Sequence, residues 1–160
     1  MIAFAFEPRA DDDSWAPDWP TEKSDWPECP GLTNSDFRLE LFQADLRLVV
    51  HGVDLGVHLS GQPVVDFALM LHYATTMLET QSDIAVEASL TQHVYAFSRD
   101  GDSITLTTEW PPRVAQLTWP ELRQLTDQAK AEAFRLITTA HPGLRDNAWL
   151  RETVGASPAM

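Results

Sequence analysis

The chain has 160 residues, of which 44% are apolar and 22% are charged, and it carries a formal net charge of −13. This length and composition are typical of one globular domain with its own core, and they exclude a disordered or fibrous chain. A charge this negative repels phosphate backbones and anionic lipid surfaces. We therefore expect neither nucleic-acid binding nor membrane binding.

The N-terminus does not resemble a secretory signal. Its apolar run is only about six residues long, no basic residue precedes it, and the acidic residues 11–13 follow it. The single cysteine, Cys29, can form neither an internal disulfide nor a zinc knuckle. We expect a cytoplasmic protein that uses no cofactor and no metal.

Residues 1–36 are predicted to form an acidic N-terminal arm that is rich in tryptophan and proline. They contain nine acidic residues against two basic ones, and residues 14–30 contain three tryptophans and four prolines. Proline removes amide donors and pushes the preceding residue toward extended geometry, so a regular helix is not expected. We predict one α+β domain over residues 37–154 and a mobile tail at residues 155–160.

The arm has two main interpretations. Its rings can bury apolar area on the parent domain, so that the arm wraps its own fold. Alternatively, tryptophans between acidic residues are typical of anchors for a basic partner. A third interpretation, a polyproline ligand, lacks a PxxP core with a basic flank. The candidate partner-binding residues are Trp15, Asp18, Trp19, Asp25, Trp26 and Glu28.

Apolar and polar residues alternate in several later segments. The pattern covers residues 37–41, 46–50, 53–59 and, more briefly, 84–88, and it is typical of half-buried antiparallel strands. In residues 92–110, two β-rich runs flank Asp100 and Gly101, which predicts a tight hairpin. Two adjacent prolines, Pro111 and Pro112, are expected to end the second strand of that hairpin.

Two segments carry helical spacing. Residues 63–80 place apolar side chains at positions 64, 67, 68, 71, 74 and 78, and residues 118–140 begin with the capping box Thr118-Trp-Pro-Glu121. On the first helix, His72 is interpreted as an edge residue and Tyr73 as a core aromatic. A short last helix is expected within residues 144–154. The predicted fold is α+β, an antiparallel sheet of about five strands with two main helices on one face.

Histidine and aspartate residues cluster between positions 51 and 66. His51, Asp54 and His58, together with Asp66 or His72, could supply metal ligands or a general base. Strand residues four apart are separated by roughly 13 Å, which is too far to hold one ion without a bend. No nucleophile motif accompanies them. The simpler interpretation is that they are polar residues on a solvated sheet face.

We therefore expect a non-catalytic protein that binds a basic protein partner. Small acidic domains without a catalytic constellation are similar, as a class, to immunity proteins and antitoxins that occupy the cleft of a basic toxin. The alternatives are a small hydrolase or metal-dependent enzyme that uses the histidines and aspartates of region 51–66, and a self-associating accessory subunit. The protein is expected to be a monomer or a homodimer.

Overall fold

The computed structural model describes residues 1–19, 32–89, 93–109 and 112–155, and of residues 58–60 only the backbone. These residues form two antiparallel sheets of four strands each, together with three α-helices and several short helical turns. The predicted α+β class is confirmed. None of the helices in these ranges has the length and apolarity that crossing a bilayer requires.

The first sheet is built around a central strand. It contains β1 (Ile2–Pro8), β2 (Gln43–Val50), β3 (Val53–Asp54) and β4 (Val57–Pro63). Strand β2 pairs with β1 on one side and with β3 and β4 on the other, always antiparallel. Every second side chain of β2, from Ala44 to Val50, is buried, so the alternation in the sequence corresponds to one face packed on the core.

Strand β1 lies inside the segment that the sequence analysis assigned to the arm. Ile2, Phe4 and Phe6 alternate with small residues, and the rings of Phe4 and Phe6 pack against Phe67, with centroid distances of 6.2 and 5.8 Å. Residues 2–8 therefore belong to the first sheet, because their aromatic side chains complete its buried face. The predicted arm thus includes a regular strand, and the predicted domain boundaries stay predictions.

The predicted strand at residues 37–41 is wrong. Asp36–Glu40 form one π-helical turn, in which Phe37 is fully buried while Leu39 is 43% exposed. The Asp36 carboxylate accepts hydrogen bonds from the backbone N–H and the hydroxyl of Thr33, which fixes the start of the turn. The alternation misled the prediction because Phe37, Leu39 and Leu41 do not share one buried face. Phe37 stacks on Trp149 in the core, whereas Leu39 is exposed.

The second sheet is a meander of four strands. It contains β5 (Asp83–Glu87), β6 (Val94–Asp100), β7 (Ser103–Glu109) and β8 (Pro112–Thr118), which pair in this order. The predicted hairpin is confirmed: Asp100 pairs with Ser103, and Gly101 adopts φ +60° in the two-residue loop. Pro112 is the first residue of β8, a position where proline is tolerated, and β8 is a strand that the sequence analysis missed.

The helices follow the predicted spacing. They are α1 (Val64–Met77), α2 (Trp119–Ala140) and α3 (Ala148–Val154). All six apolar positions predicted for α1 are buried, and the capping box of α2 is present with both of its hydrogen bonds. The two long helices pack on each other, and the hydroxyls of Thr75 and Thr126 lie 2.8 Å apart between them.

A single hydrophobic cluster joins both sheets and all three helices. The number of sheets differs from the prediction of one sheet with about five strands. Helix α1 separates four strands before it from four after it, and no described strand of one set pairs with a strand of the other, so two sheets result. The outer face of the second sheet, including Ala85 and Val114, stays exposed.

Candidate binding site

The first part of the predicted arm is hydrogen-bonded to the start of β2. The Asp12 carboxylate accepts from the backbone N–H of Ser14 at 2.9 Å, from the Ser14 hydroxyl at 2.6 Å and from the backbone N–H of Gln43 at 2.7 Å. The Ser14 hydroxyl in turn accepts from the N–H of Phe42 at 2.8 Å. Ser14 is fully buried, so this segment is an integral part of the domain's packing.

Trp15 is engaged within its own chain. Its ring packs edge-on against Phe42 with a centroid distance of 5.2 Å, and its Nε1–H donates to the backbone oxygen of Gln43 at 2.7 Å. Next to it, the buried His141 donates from Nε2 to the backbone oxygen of Ser14 at 2.6 Å. The N–H group of Trp15 is therefore bonded within the chain, and its ring is partly buried against the domain.

The other candidate residues of the arm divide into two groups. Asp18 is exposed and Trp19 is half-buried, and the backbone N–H of Trp19 donates to the oxygen of Ala16 at 3.0 Å. Asp25, Trp26 and Glu28 lie outside the described residues, as does Cys29.

The histidines and aspartates of region 51–66 are not brought together. His51 lies in the β2–β3 turn, where its Nε2 is 2.9 Å from the carboxylate of Glu121. Asp54 accepts from the N–H of Gly56 in a local turn, and Asp66 lies on α1, so the three line three different pockets. The side chain of His58 lies outside the described residues.

A pocket of about 600 Å³ opens between α1 and strand β5. Its volume is within the range of ligand-binding pockets, which is roughly 300–1,000 Å³. Its lining combines apolar, polar and charged side chains. The lining residues are Arg38, Asp66, Leu69, Met70, His72, Tyr73, Thr76, Val86, Glu87 and Ser89.

Asp66 is a buried carboxylate in the wall of this pocket. It lies in the first turn of α1 and is 3% exposed. Its Oδ1 accepts from the hydroxyl of Ser89 at 2.7 Å, and its Oδ2 accepts from the backbone N–H of Ser89 at 3.0 Å. Since a carboxylate offers about four acceptor positions, Asp66 has capacity for further donors.

Arg38 lies beside Asp66 without a hydrogen bond to it. The Nε of Arg38 is 3.6 Å from Oδ1 of Asp66, an ion-pair distance that is too long for a hydrogen bond. This Nε is buried and has no hydrogen-bond partner among the described residues. The pocket therefore contains an ion pair whose two members share no hydrogen bond. Its lining includes two carboxylates, Asp66 and Glu87, and one guanidinium, that of Arg38.

An aromatic ring and an imidazole line the same pocket. Tyr73 is 51% exposed, so the expectation of a core aromatic is wrong. The buried side of α1 includes Leu71 and Ala74, and Tyr73 points away from it. The pKa of His72 is lowered from its ordinary value, mainly by partial burial and also by the positive charge of Lys130. The imidazole is thus held toward its neutral form.

Sequence reasoning did not find most of this pocket. Arg38, Glu87 and Ser89 carry no local motif, and Asp66 was singled out for a different constellation. Within the described parts of the chain, no three side chains of metal-binding type lie together in a way that could hold an ion. Comparison with models of protein families, with curated proteins and with solved structures finds no match to this chain.

Proposed function

We propose that this protein is a non-catalytic binding domain for a basic protein partner, in the manner of an immunity protein or antitoxin. The observation that carries the proposal is the pocket between α1 and β5. The same proposal places the protein in the cytoplasm, where its single cysteine, Cys29, would stay reduced.

The chemistry of the pocket suits a lysine or arginine side chain. Such side chains bury an apolar stem while their charged head stays in a polar environment. Leu69, Met70 and Val86 supply apolar surface for the stem, and the carboxylates of Asp66 and Glu87 supply acceptors for the head. The half-exposed ring of Tyr73 adds a face on which a cation is attracted.

The net charge of the whole chain also favours a basic partner. A net charge of −13 produces a negative potential that attracts a basic protein before contact and repels acidic ones. Such steering raises association rates and contributes to partner choice more than to final affinity. The pocket is then the place where a specific contact would be made.

The two other functions considered from the sequence have less support. The hydrolase or metal-dependent enzyme would use His51, Asp54, His58 and Asp66. Of these, His51, Asp54 and Asp66 line separate pockets, and the side chain of His58 lies outside the described residues. The self-associating subunit would require two strongly negative chains to approach each other, which electrostatic repulsion opposes.

Affinity capture tests the proposal. The tagged protein is used to capture partners from the cells that produce it, and each captured protein is purified and titrated against it by calorimetry. We expect a basic partner with one-to-one stoichiometry whose affinity falls steeply when salt is raised to about 0.5 M. Capture of acidic proteins only, or an affinity that does not depend on salt, would contradict the proposal.

A further inference from the structure

Strand β5 is an edge strand next to the pocket. It pairs with β6 along its whole length, and no described strand pairs with it on its other side. Two of its residues, Val86 and Glu87, line the pocket. An unpaired edge presents backbone donors and acceptors that can bind an additional extended chain.

The backbone groups that face this open edge can be identified from the register. In an antiparallel pair, hydrogen-bonded and non-hydrogen-bonded residue pairs alternate. Ala88 donates to His93 and Arg99 donates to Ser82, so the even-numbered residues of β5, Ile84 and Val86, hydrogen-bond to β6. The N–H and C=O groups of Asp83, Ala85 and Glu87 therefore point away from β6, toward the open edge.

The charges of β5 favour one kind of additional strand. Both ends of the strand carry a carboxylate, Asp83 and Glu87, and the strand contains no basic residue. A second copy that paired antiparallel with β5 would place these carboxylates opposite each other, which is destabilising. A basic strand would place lysine or arginine there instead, and such cross-strand pairs are stabilising.

We propose that the open edge of β5 binds an extended basic segment of the partner by strand addition, and that the pocket receives one basic side chain of that segment. This inference rests on the proposed function and specifies how the partner binds. The main-chain hydrogen bonds supply affinity, and the adjacent pocket selects the side chain, as in other complexes formed by strand addition.

A synthetic peptide tests this binding mode. The probe is an acetylated heptapeptide amide, Thr-Lys-Val-Arg-Val-Lys-Thr, and the control is the same peptide with glutamine in place of each basic residue. At a concentration about ten times its dissociation constant, we expect the basic peptide to slow amide hydrogen exchange of Ala85 and Glu87 roughly tenfold. The amides of Ile84 and Val86, which already donate to β6, should change less.

A proline variant separates strand addition from general charge attraction. Ala85→Pro removes an outward N–H and leaves the hydrogen bonds to β6 in place, and proline is tolerated at such edge positions. We expect this variant to fold and to bind the heptapeptide at least tenfold more weakly. Glu87→Gln keeps every backbone donor and should also weaken binding, whereas Glu152→Gln on α3 serves as a matched exposed control without effect.

Several outcomes would overturn the inference. The first three are unchanged exchange at Ala85 and Glu87 with bound peptide, equal binding of the glutamine peptide, and unaltered affinity of a folded Ala85→Pro variant. The fourth is a dimer, detected by light scattering, that the Ala85→Pro variant does not form. If the captured basic partner still binds the Ala85→Pro variant with salt dependence, strand addition fails while the proposed function stands. If no basic protein binds at all, the proposed function itself fails.

Discussion

The segment of residues 9–16 and the pocket between α1 and β5 contain similar side chains but differ in how these are bonded. In the segment, Asp12 accepts three hydrogen bonds and Trp15 places both its ring and its N–H group on the domain. In the pocket, Asp66 accepts two hydrogen bonds from Ser89 but none from Arg38, whose Nε lies 3.6 Å away, and Tyr73 is half exposed.

This difference shows that residue type alone does not identify a binding surface. Acidic and aromatic residues whose partners lie within the chain stabilise the fold, as Asp12 and Trp15 do. Acidic and aromatic residues that border an open pocket are available to another molecule. Substitutions in the segment should therefore change stability, and substitutions in the pocket should change binding.

The largest expected effect is on stability, from Trp15→Ala. This substitution removes a ring that packs on Phe42 and a donor to the backbone oxygen of Gln43, which keeps its hydrogen bond from the backbone N–H of Arg9. We expect a loss of about 3 kcal/mol in the free energy of unfolding, measured by urea denaturation. Trp15→Phe keeps most of the ring contact and should lose less. A loss below about 0.5 kcal/mol, the size of an ordinary surface effect, would show that the segment is not part of the packing.

Ser14→Ala is expected to have the next largest effect. It leaves the backbone N–H of Phe42 without an acceptor in a buried position and removes one donor from Asp12. An unsatisfied buried donor costs about 1–3 kcal/mol of unfolding free energy. Ser98→Ala, an exposed serine on β6, is the control and should change stability by less than about 0.5 kcal/mol. Equal effects of the two substitutions would contradict the distinction between the two regions.

Tyr73→Ala should weaken binding and leave stability nearly unchanged, in contrast to the substitutions in the segment. Because the ring is half exposed, we expect the free energy of unfolding to change by less than about 0.5 kcal/mol. The affinity for a basic ligand should fall several-fold, since a cation near an exposed ring contributes roughly 0.5–1 kcal/mol. Val114→Ala on the outer face of β8 is the control for loss of an exposed apolar group. An unchanged calorimetric affinity would remove Tyr73 from the proposed site.

The smallest predicted effect concerns pH and Glu121, which belongs to neither region. A hydrogen bond from the backbone N–H of Thr118, and then His51, hold the pKa of Glu121 below its usual range. The ionised carboxylate thus stabilises the fold above the ordinary glutamate pKa of about 4.3, and this contribution is lost as the pH falls through the lowered pKa. Glu121→Gln keeps the capping box but removes the negative charge. Its free energy of unfolding should therefore be slightly below that of wild type at pH 7, and the difference should shrink at about pH 3. Equal differences in unfolding free energy at both pH values would contradict this.

Local patterns predicted the parts of the fold that depend on neighbouring residues. The six apolar positions of α1, the capping box at Thr118 and the hairpin at Gly101 are all present. Strand β1 was missed because a short apolar run before a proline-rich segment gives no sign of its distant partner, β2. The turn at Asp36–Glu40 was misassigned because apolar residues at every second position, Phe37, Leu39 and Leu41, do not form one buried face there: Phe37 is buried and Leu39 is exposed.

The pocket could not be predicted in the same way. Asp66 accepts a hydrogen bond from Ser89, which lies 23 residues later in the sequence. Arg38, which precedes α1, lies next to the same carboxylate. No spacing rule connects these three positions, because the packing of α1 against β5 brings them together. The expectation of a surface for a basic partner came from the charge and the tryptophans of the arm, and it placed the site there, whereas the proposed site lies at the pocket.

The most direct test of the account compares two charge reversals against the captured basic partner. Glu87→Lys at the pocket and Glu152→Lys on α3 change the net charge by the same amount, so they differ only in position. Calorimetry at one salt concentration should show binding weakened roughly tenfold or more by Glu87→Lys, and much less by Glu152→Lys. Equal weakening by both would contradict the account, because the partner would then respond to total charge and not to the pocket.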